Sequence, residues 1–82
     1  MTGRRVYPDD EGQLRLAPGD YGQDASGVWY ARAPRMSTGC LVGHNIVEHE
    51  DGTITVSPLM VIDHGARGTW HGFLERGVWR EV

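Results

Sequence analysis

The sequence predicts an all-β protein: one small domain, a twisted antiparallel sheet of about five or six short strands in a compact sandwich or partial barrel. Three observations carry this. Twelve glycines and four prolines cut the 82 residues into short pieces. The longest piece free of both is HNIVEHED, residues 44–51, so a helix of about three turns has nowhere to form. Between the breakers lie short β-branched and aromatic runs, and turn dipeptides such as Asp51-Gly52 separate runs that alternate.

Residues 1–27 are polar and rich in turn formers, among them Pro8-Asp9-Asp10, Pro18-Gly19-Asp20 and Ala25-Ser26-Gly27. Within this loop-rich part QLRLA, residues 13–17, alternates and reads as a short edge strand. The main sheet is expected over residues 28–82. VWYARA, residues 28–33, is aromatic and β-branched and stops at Pro34, so it reads as a strand; PRMSTG reads as a loop. From Cys40 onward the chain reads as two hairpins joined by an apolar strand, LMVID.

The first hairpin turns at Asp51-Gly52. A two-residue type I′ turn sets His49 opposite Ile54 and Val47 opposite Val56, which separates apolar from polar faces. A three-residue turn would set Glu48 against Ile54 and mix them. The second hairpin turns around residues 75–77, with Gly77 in the left-handed position of a three-residue loop. That register pairs Leu74 with Val78, Phe73 with Trp79, and His71 with Glu81. It makes His71 a structural residue, donating to a carboxylate beside an aromatic pair.

A single chain of this size sits near the lower limit for an unsupported core. The lone Cys40 excludes an intramolecular disulfide, so self-association is the expected extra source of stability. The net charge is −3, all eight basic residues are Arg, and they are scattered apart from Arg4-Arg5. No basic stripe can follow a phosphate backbone, which disfavours nucleic acid as a partner. The first residues lack the apolar core of a signal peptide, and no apolar run approaches the ~20 residues a membrane helix needs. These features predict a cytoplasmic protein with no membrane partner and a reduced Cys40 thiol.

The run from Glu50 to Val82 resembles DUF6527, a family of small proteins of unknown function from bacteriophages and prophages. That family typically shows a TxSPS strand followed by a CHSF-x-x-DG hairpin. Here TVSPLM, residues 55–60, matches the first element, with Leu59 where a serine is common. WHGFLERGVW, residues 70–79, matches the second, with Trp70 replacing the cysteine and His71 keeping its place. Many relatives carry a cysteine-rich segment that looks like a zinc knuckle, and only Cys40 of TGCLVGH corresponds to it. The resemblance implies a small β fold and a phage origin, hence the cytoplasm of the host, and supplies no activity.

Metal ligation, catalysis and surface binding remain as chemistries to weigh. Cys40, His44 and His71 are the candidate zinc ligands, but no C-x₂₋₄-C pair marks a structural site. On one strand Cys40 and His44 would lie about 13 Å apart by strand rise. Cys40 with a histidine and Asp63 supplies the residue types of a thiol nucleophile, without any supporting spacing. The acidic residues Glu48, Glu50 and Asp51 sit at a hairpin tip where water solvates them. Catalytic and cofactor-binding residues are therefore not assigned, and no cofactor is expected. The aromatic residues exceed what one face of a small sheet can hold, which places Trp29, Tyr30, Trp70 and Trp79 at an interface. The expected function is a phage-encoded accessory binding module, non-enzymatic and homo-oligomeric, with a host protein as a further partner. The alternatives are a degenerate zinc-ribbon-like domain using Cys40 and histidines, and a small hydrolytic enzyme.

Overall fold

The computed structural model describes residues 1–63 and 68–82, with the backbone alone for 58–63. The fold is all-β. Among the described residues the strands are β1 (Arg4–Val6), β2 (Asp20–Gln23), β3 (Trp29–Ala31), β4 (Gly39–Cys40), β5 (Asn45–Glu48), β6 (Ile54–Asp63), β7 (Thr69–Glu75) and β8 (Val78–Glu81). They form two four-stranded sheets, β1-β2-β3-β4 and β5-β6-β7-β8, and do not close into a barrel.

Eight strands replace the five or six expected because residues 1–27 supply two of them. The pair β1–β2 is parallel, with Arg5 opposite Tyr21. A parallel pair needs a long connection and leaves no local turn signal, so it is invisible to pattern reading. The alternating QLRLA is not a strand. Asp9 organises the approach to it, its Oδ1 accepting the N–H groups of Glu11 and Gln13 at 3.0 and 2.9 Å. The Leu16 carbonyl is satisfied by the Arg32 guanidinium at 3.0 Å instead of by a ladder. Residues 28–82 likewise do not make one main sheet: β3 and β4 belong with the N-terminal strands, and the division falls between β4 and β5.

Both sheets face one core. Tyr21, Ala31, Ala33, Met36 and Leu41 meet Ile54, Val56, Leu74 and the indoles of Trp70 and Trp79, with Trp29 and Ile46 packed against the cluster. The two buried indoles stand edge to face, ring centroids 5.4 Å apart at 84°, an arrangement favoured by the ring quadrupoles. The segment before β1 stitches the sheets together. Thr2 bridges Val78, Gly3 N–H donates to the Gly77 carbonyl at 2.7 Å, and Trp79 N–H donates to the Met1 carbonyl at 2.7 Å.

The two hairpin loops exchange the lengths that the sequence predicts for them. In β5–β6 the pairs are Val47 with Thr55, Ile46 with Val56, and Glu48 with Ile54. The loop is Glu50-Asp51-Gly52, closed by His49 N–H to the Thr53 carbonyl at 2.8 Å and Gly52 N–H to the His49 carbonyl at 3.0 Å. Only Gly52 has positive φ, +88°; a type I′ turn would require Asp51 there as well. Asp51 instead accepts the Thr53 N–H and hydroxyl, at 3.0 and 2.6 Å, which holds it out of the left-handed region. The mixed face that argued against this register is accommodated by an ion pair from Arg5, described below.

In β7–β8 the pairs are Glu75 with Val78, Leu74 with Trp79, Phe73 with Arg80, and Gly72 with Glu81. The turn is the two residues Arg76 and Gly77, with φ of +46° and +78°, so Arg76 accepts the left-handed conformation that favours glycine. One residue of register moves every pair. Trp79 faces inward beside Leu74, Phe73 faces outward, and Glu81 lies opposite Gly72 and not His71. The apolar LMVID is no separate strand but the second half of β6, with a register irregularity between Val56 and Met60.

Gly72 lies inside the sheet between Met60 and Glu81. A methyl group there would strike the six-membered ring of Trp70 and the Arg80 carbonyl. The carbonyl is held in the strand and cannot turn away. Gly72→Ala is therefore expected to cost about 2 kcal/mol by overpacking, read as a lower melting temperature. An unchanged melting temperature would show that β7 and β8 slide past each other freely.

Candidate binding surface

Strand alternation decides what the β5–β8 sheet shows to solvent. Along β7, Trp70, Gly72 and Leu74 are buried while Thr69, His71, Phe73 and Glu75 are exposed. Cross-strand pairing extends this outer face in rows. Val47 lies opposite Thr55 and Glu75 opposite Val78, and Val56 opposite Leu74 sets those two pairs side by side. Phe73 and Arg80 fill the next row. Among the described residues three apolar side chains of this face stand in the open: Val47 is 54% exposed, Val78 39% and Phe73 36%. The charges among them neutralise each other, Arg80 bonding Glu75.

At the loop end of this face two shallow concavities flank Arg76. One, about 520 Å³, is lined by Glu48, His49, Glu50, Asp51 and Arg76. The other, about 350 Å³, is lined by Thr55, Glu75, Arg76, Val78 and Arg80. The Thr55 hydroxyl connects them, accepting the Arg76 N–H at 3.1 Å and lying 2.7 Å from His49 Nε2.

Behind the same tip sits a residue that sequence reading passed over. Arg5, on β1, is 12% exposed in its side chain. Its guanidinium lies over the rings of Tyr7 and Trp29, 4.6 and 4.8 Å from their centroids. Nη1 donates to Glu48 Oε2 at 2.8 Å and to the Gly52 carbonyl at 2.9 Å. The group fixes the β5–β6 loop against the first sheet. A signal existed in the i, i+2 spacing of Arg5 and Tyr7, which turns both to one side of an extended segment.

Three turn aspartates complete the electrostatics. The Thr53 hydroxyl and N–H hold the Asp51 carboxyl below its ordinary range. The Gln13 N–H does the same for Asp9, aided by the Glu11 N–H and Arg15. For Asp24 the Ser26 hydroxyl acts first, then the Val28 N–H. A carboxyl whose folded pKa is lowered stabilises the fold fully above its unfolded value, about 3.9, and loses that contribution as pH falls through the folded value. The melting temperature is expected to fall on acidification below about pH 4, and Asp51→Asn should make that decline shallower. A melting temperature level through that range would contradict the assignment.

The expected site residues are dispersed. Cys40 is exposed on β4, directly opposite Tyr30 of β3. His44 is half-buried in the turn after β4, not on Cys40's strand, and its Nδ1 has no partner among the described residues. His71 is exposed on β7, opposite Val61; the carboxylate assigned to it, Glu81, pairs with Arg35 at 2.8 Å. No group of three or more His, Cys, Asp or Glu placed to hold a metal occurs among the described residues. The side chain of Asp63 and all of His64 lie outside them. Of the four expected interface aromatics, Trp70 and Trp79 are buried at 1% and 3% exposure and present nothing to a partner, because the shorter turn directs Trp79 inward. Trp29 is half-buried under Arg5. Tyr30, also half-buried, lines a concavity of about 330 Å³ with Leu14, Asp24 and Thr38.

No family model, curated protein or solved structure matches the chain. Among the described residues, no helix is long and apolar enough to cross a membrane.

Proposed function

We propose that this protein is a non-enzymatic binding module that acts by associating with protein surfaces, beginning with its own. The outer face of the β5–β8 sheet carries the reading: Val47, Phe73 and Val78 stand exposed on three of its four strands. An apolar patch whose central charges, Glu75 and Arg80, are already paired suits a protein partner, since burying it leaves those two matched. The same pairing argues against nucleic acid. Among the described residues Arg4, Arg5, Arg15, Arg35 and Arg80 each hold a carboxylate, so most of the basic groups there are not free for phosphates. The resemblance of residues 50–82 to DUF6527 supports an accessory role in a phage, exercised in the host cytoplasm.

Self-association is tested by sedimentation or light scattering across the micromolar range. The expected mass exceeds the 9.1 kDa of one chain and rises with concentration. A single-chain mass throughout would overturn this reading.

A further inference from the structure

Sheet edges offer unpaired backbone groups, and natural proteins blunt them with lysine, proline, bulges or covering segments. In the second sheet β8 is covered, its outer side bonded to residues 1–3. β5 is not. Among the described residues it pairs with β6 alone, and residues 45–48 contain neither lysine nor proline.

Which groups lie free follows from the register. The bond from His49 N–H to the Thr53 carbonyl fixes the alternation, so His49, Val47 and Asn45 direct their backbone groups to β6. Ile46 and Glu48 direct theirs away from it, and these have no backbone partner among the described residues.

We infer that this edge pairs with the same edge of a second copy, antiparallel about a two-fold axis at Val47. The inference rests on the self-association proposed above and names its surface. In that register Ile46 of each copy faces Glu48 of the other, and both residues have outward backbone groups, so the pair exchanges N–H···O=C bonds in both directions. Val47 meets Val47 of the second copy on the outer face, covering a side chain that is 54% exposed. Asn45 faces His49, and His44 faces Glu50, an imidazole against a carboxylate, repeated by the symmetry.

Neighbouring registers lose this match. Centring on Glu48 opposes two like carboxylates, and centring on Ile46 sets Val47 against Asn45 and turns His44 toward Glu48, whose carboxylate Arg5 already holds. Centring between residues would pair an inward-bonding residue with an outward one, which the ladder forbids. The complementarity of His44 with Glu50 and of Val47 with itself selects a second copy over an unrelated strand.

Cysteine cross-linking reads the register directly. At a non-hydrogen-bonded antiparallel pair the Cα atoms lie about 4.5 Å apart, within disulfide range. In a Cys40→Ser background, Val47→Cys is expected to give a covalent dimer on mild oxidation, while Val78→Cys, on the same face but away from the edge, remains largely uncross-linked. Val47→Lys should raise the dissociation constant about tenfold by opposing two ammonium groups. Glu50→Lys should weaken pairing, and adding His44→Glu should restore it. The near-ultraviolet signal of the Trp70–Trp79 pair reports that each variant is folded. If the wild type associates but Val47→Lys does not weaken it and Val47→Cys cross-links no faster than Val78→Cys, the edge is wrong and self-association stands. If the wild type is a single chain throughout, both fail.

Discussion

Trp79→Ala is expected to cost about 4 kcal/mol. Net stability for an 82-residue chain is roughly 4 to 12 kcal/mol, so the variant should lose much of the folded population or all of it. The indole removes more than its own area from water. It receives the edge contact with Trp70, and its Nε1 donates to the Gly19 carbonyl at 2.8 Å. That bond ties β8 to the residue preceding β2, hence one sheet to the other. Trp79→Phe separates the contributions, since a smaller ring keeps part of the packing and cannot donate. The Gly19 carbonyl retains the Arg4 N–H at 3.4 Å, so the lost bond should add only about 1 kcal/mol to the lost volume. Urea unfolding midpoints check both. Equal losses for the two variants would mean that the hydrogen bond, and not the packing, dominates.

The fold class was legible because it rests on breakers. A helix cannot be built through twelve glycines and four prolines at these spacings, and no tertiary contact can repair that. Hairpin positions were legible for the same reason, since Asp51-Gly52 and Arg76-Gly77 each carry a glycine that the turn uses. Register was not. In the first hairpin, separation of the faces favours the two-residue turn, yet the observed register sets Glu48 opposite Ile54, where Arg5, more than forty residues away in sequence, reaches its carboxylate. In the second, aromatic pairing of Phe73 with Trp79 looked favourable, but burying both indoles on one face was worth more. Arg76 takes the strained turn position that this requires. The candidate surface shifted with the register: Trp79 went inward, and Phe73 and Val78 took its place outside. The role expected for His71 does not survive the change of register: it stands exposed on the outer face, and its supposed partner Glu81 belongs to Arg35. Gly72 marks a point of close approach, to the Trp70 ring and the Arg80 carbonyl, as an isolated glycine inside a strand commonly does.

Arg5→Ala is expected to cost about 3 kcal/mol, the second-largest loss. Two ring contacts each contribute roughly 0.5 to 2 kcal/mol when shielded from water. The charged hydrogen bond to the Gly52 carbonyl adds about 1.5 kcal/mol or more. The Glu48 partner is half exposed, so water can rehydrate it, and its share belongs at the low end of the range for ion pairs. Arg5→Lys distinguishes charge from shape. An ammonium keeps the attraction to Glu48 but cannot lie flat between Tyr7 and Trp29 while donating to both Glu48 and Gly52. The lysine variant should therefore recover less than half of the loss. Salt gives an independent check: screening at high ionic strength weakens the Glu48 pair and leaves the ring contacts largely intact, so most of the difference between Arg5 and Ala should persist there. A lysine variant as stable as the wild type would show that a point charge suffices. The β5–β6 loop would then be held by Coulomb attraction alone, and the stacked guanidinium would be incidental to where β5 presents its edge.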